Sequence, residues 1–250
     1  MKTSKIEWTD ATWNPSIGCT KISAGCNNCY AEIMARRLQA MGSKDYKKGF
    51  QFTTLPHRLD LPLKTRKPTK FFVNSMSDLF HESMPEAFLD QVFAVIRQTP
   101  QHTYQILTKR AENMSSYFRG KELPQNVWLG VTVENKLAKK RIDYLRKIKA
   151  KIRFLSVEPL LEDLGTMNLQ NIDWVIVGGE SGRRARPMQE GWVINIKNQC
   201  ERQNAAFFFK QWGTWGSDGV KRDKKANGRK LLNKVWSSYP VQATLFPMPA

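Results

Sequence analysis

"DWVIVGGESG", residues 173–182, is a run of β-branched and aromatic side chains that ends in glycine and polar residues. Short continuous apolar runs of this kind are typical of strands that are buried on both faces, as in a parallel sheet. Six other runs have the same character and also end in polar residues. They are ATWNPSIGCT (11–20), KFFVNSMSD (70–78), TYQILTKR (103–110), VWLGVTVEN (127–135), IRFLSVEP (152–159) and AAFFFKQWG (205–213).

Helical patterns lie between most of these runs. The alternation predicts an α/β protein, a partial (β/α) barrel of six to seven parallel strands, with a doubly wound sheet as the alternative. In both architectures ligands bind at the carboxyl ends of the strands, so the polar residues that follow each run should share one face. The predicted helices cover residues 29–42, 84–98, 110–118, 135–149 and 189–203.

The charge balance indicates the class of partner. Among 250 residues there are 40 Lys and Arg against 22 Asp and Glu, a net charge of +18. Such an excess attracts polyanions, and it favours nucleic acid as the partner. No apolar run approaches the roughly 20 residues that a membrane span requires, and the sequence MKTSKIEWTD at the start lacks an apolar signal region. We therefore expect a cytoplasmic protein with no membrane partner.

Three of the four cysteines fall within eleven positions, as Cys19, Cys26 and Cys29. Closely spaced cysteines in a cytosolic protein indicate metal binding more often than a disulfide. A structural zinc ion usually takes four protein ligands. Three cysteines instead suit a [4Fe–4S] cluster whose fourth iron stays open to bind S-adenosylmethionine, and the sequence favours this reading. For zinc, the candidate fourth ligands are Cys200, His57, His81 and His102.

Several motifs occur in a fixed order. They are GCTKISAGCNNCYA (18–31), VNSMSDLFH (73–81), ILTKR (106–110), WLGVTVEN (128–135), FLSVEPLL (154–161), WVIVGGESG (174–182) and FFFKQWG (207–213). Together they resemble the three-cysteine phage protein family of unknown function, over about residues 5–215. That family is thought to belong to the radical S-adenosylmethionine superfamily, and the chain more distantly resembles spore photoproduct lyase, a DNA-repair member of that superfamily.

The resemblance implies a barrel of the radical S-adenosylmethionine type over residues 1–215, with its cluster loop at 18–30. A basic extension (216–241) and a tail (242–250) would follow. One departure concerns the cluster motif, which in the superfamily is usually CxxxCxxC with an aromatic residue just before the last cysteine. Here the spacing is CxxxxxxCxxC, and Asn28 precedes Cys29.

The polar residues at the strand ends are the candidates for binding S-adenosylmethionine. The alternative is that these acids and bases pair with one another across the barrel mouth, because charged groups are rarely buried without a partner. Cys200 and Tyr104 are candidates for a residue that returns a hydrogen atom. The candidate cofactor-binding residues are Ser75, Asp78, Lys109, Thr132, Glu134, Ser156, Glu158 and Glu180.

A second group of residues combines cations with aromatic rings beyond two strand ends. Arginine matches the geometry of phosphate, and aromatic rings stack on unpaired bases. The alternative is a solvated basic loop in which tryptophan anchors the barrel end. The candidate nucleic-acid-binding residues are Arg183, Arg184, Arg186, Lys210, Trp212 and Trp215.

The tail contains QATLF, residues 242–246, which is similar to the pentapeptide that docks bacterial polymerases and repair proteins on the sliding clamp. Gln242, Leu245 and Phe246 would then bind the clamp. The alternative is a tail that folds back on the core.

These features predict a radical S-adenosylmethionine enzyme with a [4Fe–4S] cluster, reduced by an electron donor such as flavodoxin or ferredoxin. It would act on nucleic acid, with repair of a photoproduct-like DNA lesion favoured. One alternative is base modification with the same cofactor. The other is a non-catalytic, zinc-stabilised nucleic-acid-binding protein.

Overall fold

The computed structural model describes residues 4 and 6–240. Within this part of the chain the strands are β1 (Ala11–Trp13), β2 (Ser16–Ile17), β3 (Thr53–Thr54), β4 (Lys70–Val73), β5 (Thr103–Thr108), β6 (Val127–Thr132), β7 (Ile152–Val157), β8 (Trp174–Gly178), β9 (Ala206–Gln211), β10 (Lys230–Leu231) and β11 (Lys234–Val235). The α-helices are α1 (Tyr30–Ala40), α2 (Glu86–Gln98), α3 (Ala111–Tyr117), α4 (Arg141–Arg146), α5 (Glu190–Arg202) and α6 (Lys224–Asn227). Short 3₁₀ helices lie at Ala24–Cys26, Lys44–Tyr46, Pro56–Arg58 and Lys136–Lys140.

Seven strands form one sheet in the order β1, β4, β5, β6, β7, β8, β9, and every neighbouring pair is parallel. The sheet curls into an open half-barrel. A doubly wound sheet would reverse its strand order near the middle, whereas this order follows the chain. The predicted partial barrel of parallel strands is therefore confirmed. Two antiparallel pairs, β2 with β3 and β10 with β11, lie outside the sheet.

Two of the predicted elements are divided in the structure. The run 11–20 breaks at Pro15, which has no N–H for a strand ladder, so β1 joins the large sheet and β2 pairs elsewhere. The helix predicted over 135–149 becomes a 3₁₀ turn followed by the short α4. The side chain of Asn135 caps the 3₁₀ turn by accepting the N–H of Ala138 at 3.0 Å, and such a cap sets a helix start.

The sheet buries apolar side chains on both faces, because successive residues of a strand point to opposite sides. One set packs beneath the helices and forms the outer cluster, which contains Tyr104, Leu129 and Val175. The other fills the inside of the half-barrel and forms the inner cluster. The inner cluster consists of Trp8, Phe72, Trp128, Ile152, Phe154, Trp174, Ile176 and Phe208.

The described part of the basic extension packs against the barrel. Leu231 is fully buried in the outer cluster, and the indole N–H of Trp236 donates to the Leu231 carbonyl at 2.9 Å. Tyr239 stacks on Trp174 of the inner cluster, with ring centroids 5.2 Å apart. Residues 230–238 thus run antiparallel beside β9, from Trp212 at its carboxyl end to Phe207, and Tyr239 reaches the amino-terminal end of β8. None of the helices described here is both long enough and apolar enough to cross a bilayer.

Gly130 provides a test of packing in the inner cluster. A Cβ atom at this position would lie 2.6 Å from ring atoms of Phe154. We expect Gly130→Ala to lower the free energy of unfolding by about 1–3 kcal/mol through overpacking, measured by urea denaturation. The matched control is Gly191→Ala, at an exposed position of α5 where a Cβ meets nothing within 4 Å. The control should leave stability unchanged or slightly raised, and equal midpoints for the two variants would contradict this packing account.

Candidate metal and cofactor site

The cysteine loop, residues 18–29, lies across the carboxyl ends of the parallel strands. Its first residue, Gly18, donates its N–H to the Met76 carbonyl beyond β4 at 3.0 Å. Gly18 has a φ of +75°, and a Cβ there would lie 2.2 Å from the Gln51 carbonyl oxygen, so only glycine fits. Further along the loop, Gly25 packs against the side chain of Glu134, which follows β6. The loop therefore covers the mouth of the half-barrel.

The three thiols of this loop are half-buried, and none is in a disulfide. Burial raises the pKa of Cys19 to about 11, against the opposing charge of Arg110. Burial also acts to raise the pKa of Cys26, but a backbone hydrogen bond to Ile22 and the charge of Lys109 outweigh it and lower the pKa below its usual value. Cys26 therefore ionises more readily than an ordinary cysteine, whereas Cys19 is held beside the Arg110 guanidinium and ionises less readily.

The three thiols of the loop are donors of the kind that zinc and iron–sulfur clusters both take. Among the described residues, no three His, Cys, Asp or Glu side chains converge on one point as a zinc ion requires. A cubane cluster binds each thiolate to a different iron, so its ligands need not converge. Three thiols with cationic and amide neighbours are the donors that such a cluster takes.

The candidate fourth zinc ligands are distributed over the molecule. His102 accepts the N–H of Thr69 at 3.2 Å and lies near the amino end of β5. Cys200 is fully buried in the outer cluster on α5. In the described structure neither forms a four-ligand set with the cysteines.

The two remaining histidines already have partners. His57 lies on the surface with Nε2 3.3 Å from a carboxylate oxygen of Asp45. His81 accepts the N–H of Ser83 at Nδ1 and lies 3.1 Å from the Thr20 hydroxyl at Nε2. Neither histidine belongs to a ligand set in the described residues.

Arg110 fixes the start of the cysteine loop. It is buried two positions after β5, and it donates from Nη1 to the Cys19 Sγ at 3.3 Å and from Nη2 to the Thr20 hydroxyl at 2.8 Å. Its charge is balanced by Asp78 at 3.3 Å and by Glu82 at 2.8 Å. Arg110 is not among the site residues predicted from the sequence, although an arginine two positions after a buried strand is a signal for a paired buried cation.

Asp78, one of the predicted cofactor-binding residues, is engaged by groups of the protein itself. One carboxylate oxygen accepts the Thr108 hydroxyl at 2.6 Å and the other accepts the backbone N–H of Lys109 at 3.0 Å, in addition to Arg110. This carboxylate is therefore saturated by the protein. It orders the end of β5 through these hydrogen bonds.

Two residues at the mouth retain binding capacity. Glu134 is fully buried, and Oε2 accepts from Arg141 at 2.7 Å, whereas Oε1 has no hydrogen-bond partner among the described residues. Burial acts to raise the Glu134 pKa, but the charges of Lys109 and Arg141 outweigh it and keep the pKa low. Lys109 contacts the Thr132 hydroxyl at 3.4 Å and forms no ion pair within the described chain. An ionised acceptor and an unpaired cation thus face the cysteine loop.

The other predicted cofactor-binding residues differ in availability. Glu158 accepts from Lys210 with both oxygens at 2.9 Å, so this acid and base pair across the mouth, as the alternative reading expected. The Ser75 hydroxyl donates to Asn14 at 3.1 Å. Ser156 is buried at the end of β7.

Glu180 connects two loops of the mouth. It accepts three hydrogen bonds from Arg186 and one from the amide of Asn28 at 3.0 Å. Arg186 also donates to the Ala24 carbonyl at 2.9 Å, and Asn28 donates to the Arg184 carbonyl at 2.9 Å. Burial opposes ionisation of Glu180, but Arg186 lowers its pKa below the ordinary value. Asn28, the departure from the usual motif, therefore fastens the cysteine loop.

The six predicted nucleic-acid-binding residues separate into two groups. Arg183 and Arg184 are exposed, and Trp215 is half-buried with its indole N–H donating to the Ala185 carbonyl at 2.6 Å. Trp212 is buried, and its N–H donates to the Lys230 carbonyl at 2.8 Å, so its ring cannot stack on a base. Arg186 and Lys210 are both engaged by carboxylates.

The candidate hydrogen donors lie away from the mouth. Tyr104 is buried in the outer cluster, 2.6 Å from the Thr99 hydroxyl, and burial raises its pKa to about 12. Cys200 is buried in the same cluster, where burial raises its pKa to about 12. The structure brings neither to the cysteine loop. Gln242, Leu245 and Phe246, predicted to bind the sliding clamp, lie outside the described residues.

A family profile decides the classification. The family described as Protein of unknown function (DUF5131) matches residues 3–240. The chain belongs to the DUF5131 family. This match does not confirm the phage-family name suggested by the motifs. Comparison of the DUF5131 chain with curated protein sequences gives no match.

A solved structure shares the fold of this DUF5131 protein, and a second is similar at a lower score. A cysteine-to-serine mutant of spore photoproduct lyase has a TM-score of 0.51 at 11% identity, over 84% of this chain and 78% of that one. A cysteine-to-alanine mutant with dinucleoside spore photoproduct has a TM-score of 0.43 at 11% identity, over 81% of this chain. The DUF5131 chain spans 63% of the length of that second lyase chain. Identity this low shows a common fold and nothing finer.

The buried pair of Asp78 and Arg110 can be tested by substitution. Asp78→Ala leaves the guanidinium with only the half-exposed Glu82, and breaking such a pair costs about 3–5 kcal/mol in the free energy of unfolding. We expect a loss near the lower limit, measured by urea denaturation. Asp218→Ala removes an acid from an exposed pair with Arg222 and should have no measurable effect. Equal stability of the two variants would show that the buried Asp78–Arg110 pair does not stabilise the fold.

Proposed function

We propose that this DUF5131 protein is a radical S-adenosylmethionine enzyme that acts on nucleic acid, with a photoproduct-like DNA lesion as the favoured substrate. One observation supports this above the others. Three free thiols lie on one loop over the carboxyl mouth of a parallel half-barrel, facing Lys109 and Glu134. Among the described residues Lys109 forms no ion pair and Oε1 of Glu134 has no hydrogen-bond partner. The fold shared with spore photoproduct lyase supports it as a fold-level analogy.

Cys19, Cys26 and Cys29 would hold three irons of a [4Fe–4S] cluster and leave the fourth iron open. When bound, the reduced cluster and S-adenosylmethionine supply a 5′-deoxyadenosyl radical that abstracts a hydrogen atom from the substrate. Arg110 donates a hydrogen bond to Cys19 Sγ, and this stabilises the thiolate form that binds metal. The backbone hydrogen bonds to Cys26 favour its thiolate in the same way.

The residues beneath the loop are suited to the polar groups of S-adenosylmethionine. The Lys109 ammonium can bind the carboxylate of the methionyl part, because among the described residues no acid forms an ion pair with it, although its charge acts on nearby Glu134. Oε1 of Glu134 can accept a hydrogen bond from the ammonium or from a ribose hydroxyl, which would satisfy an acceptor that is now buried without a donor. The hydroxyls of Thr132 and Ser156 are buried beside them and can donate or accept.

The inner cluster limits water at the base of this site. Its tryptophan and phenylalanine side chains fill the half-barrel below the polar mouth, and Tyr239 covers Trp174 from the amino-terminal end. A reactive species formed at the mouth would therefore meet water only from the open side. The substrate must enter from that side and displace the remaining water.

The basic surface supports nucleic acid as the substrate class. The net charge of +18 attracts phosphates from a distance. Arg183 and Arg184 are exposed on the loop that Glu180 fastens to the cysteine loop, so phosphates bound there would be close to the mouth. Trp215, with Lys221 5.5 Å above its ring, borders the same loop.

Metal analysis tests the proposed function. Protein purified without oxygen should contain about four irons and four sulfides per chain, and it should convert S-adenosylmethionine to 5′-deoxyadenosine when dithionite is added. Cys26→Ala should lose iron and this activity because a cluster ligand is removed. Cys200→Ala is the matched control and should retain both, since that thiol is buried in the outer cluster. Colourless wild-type protein with stoichiometric zinc would rule out the enzyme and leave the binding protein.

The arginines of the mouth give a separate test of nucleic-acid binding. Arg183→Ala combined with Arg184→Ala should weaken binding to a labelled single strand and reduce the salt slope of log K by about 1.4, or roughly 0.7 per phosphate contact. Fluorescence anisotropy over a salt series gives both quantities. Arg66→Ala combined with Lys67→Ala removes two adjacent exposed cations before β4, at the other end of the strands, as the control. Equal slopes for both double variants would mean that the mouth arginines do not bind phosphate.

A further inference from the structure

Helix α1 presents its larger apolar side chains to solvent. Tyr30, Ile33, Met34 and Met41 are 59%, 58%, 40% and 73% exposed, and their spacing with Arg37 places them on one side of the helix. We call Tyr30, Ile33, Met34, Arg37 and Met41 the α1 face. The opposite side packs through Ala31, Ala35 and the partly buried Leu38. An ordinary surface helix does the reverse and buries its larger apolar residues.

The α1 face lies directly beside the cysteine loop. Cys29 is the residue that caps α1, and Tyr30 is the first residue of the helix. An ion pair of 2.9 Å between Lys21 and Glu32 joins the loop to the helix a second time. Contiguous exposed apolar patches mark sites of interaction. A molecule on this face would therefore sit next to a proposed cluster ligand.

The surroundings of the α1 face are strongly basic. The acids of this segment are already paired, Glu32 with Lys21 and Arg36, and Asp45 with Arg58. Charge complementarity therefore favours an acidic partner. A second copy of this chain would bring the same cations against each other, which charge repulsion opposes. The exposed cations of this segment are Lys21 in the cysteine loop, Arg36 and Arg37 on α1, and Lys44, Lys47 and Lys48 shortly after the helix.

The composition of the face favours a protein over a nucleic acid. Tyrosine, methionine and arginine are enriched in protein interfaces, whereas unpaired bases require several planar rings on which to stack. Ile33 and Met34 offer no such ring, and Tyr30 is anchored through its hydroxyl, which donates to the Ser75 carbonyl. Complexes that transfer electrons are small and transient, and one exposed helix face with a charged rim is of that size.

We propose that the α1 face docks an acidic one-electron carrier protein, of the flavin or iron–sulfur class, that reduces the cluster held by Cys19, Cys26 and Cys29. This inference rests on the proposed function. In the step, one electron passes from the reduced carrier to the oxidised cluster. The carrier is oxidised by one electron, and no bond is made or broken. Apolar contact at Ile33 and Met34 gives affinity, and the cations orient the carrier.

The test compares two reductants of the holoprotein by stopped-flow absorbance. Reduced flavodoxin must dock, whereas dithionite is small and need not. Ile33→Gln combined with Met34→Gln should slow reduction by flavodoxin at least about tenfold, which corresponds to about 1.4 kcal/mol of lost contact. Reduction by dithionite should be unchanged. Leu137→Gln combined with Val220→Gln removes two exposed apolar side chains elsewhere, 81% and 47% exposed, and should leave both rates unchanged.

Charge gives a second arm of the same experiment. Arg37→Glu should slow reduction by flavodoxin at low ionic strength, and added salt should reduce the difference from wild type. Lys67→Glu, near the amino end of β4, is the matched control with an exposed cation and should behave as wild type. Equal flavodoxin rates for wild type and the Ile33–Met34 double variant would overturn the proposal. Loss of DNA affinity in that double variant with an unchanged flavodoxin rate would also overturn it and assign the face to nucleic acid.

Failure of the proposed function has its own readout. Iron content is measured first, and protein without iron contradicts the enzyme. Affinity of the metal-free chain for flavodoxin, measured by calorimetry for wild type and for the double variant, then decides the docking site by itself. Absence of binding by wild type, or equal binding by the double variant, would overturn the docking site.

Discussion

Alternation along parallel strands is the constraint on which the rest of the structure depends. Each strand sends every second side chain into the half-barrel, so aromatic residues fill its lower part and polar residues emerge at its mouth. Glu134, Glu158 and Glu180 continue the inward-facing positions of β6, β7 and β8 beyond the strand ends. Their common location therefore follows from the same periodicity that buries Trp128, Phe154 and Trp174.

The cysteine loop is irregular and has its own supports. Arg110 holds its beginning through Cys19 and Thr20, and the Glu180–Arg186 pair holds its end through Asn28 and Ala24. Both supports are ion pairs of buried or partly buried side chains. Their carboxylates accept hydrogen bonds from several donors, and buried charge is tolerated in that arrangement. Lys109 and Glu134 also lie at the mouth. Among the described residues Lys109 forms no ion pair and Oε1 of Glu134 accepts no hydrogen bond.

The sequence was sufficient for the architecture and for the edge of the sheet that holds the site. The apolar runs from KFFV to AFFF each became one strand of the parallel sheet, and the residues after them met at one end. It was not sufficient to predict which charged side chains form ion pairs with each other. Glu158 and Lys210 are 52 residues apart, and only the curl of the sheet shows that they neutralise each other. The sequence also does not show whether Trp212 is a buried anchor or a surface on which a base can stack. In the structure the β10 region covers its indole ring, which makes it a buried anchor.

The two hydrogen bonds of Asn28 determine which chain segments could be exchanged between related barrels. Its one amide group donates to Glu180 and to the Arg184 carbonyl, so two chain segments more than 150 residues apart share a single fastening point. A transplanted cysteine segment with an aromatic ring at that position would leave a buried anion short of one donor and the neighbouring carbonyl without its partner. The two segments are thus one exchangeable unit, and chimeras should carry both or neither.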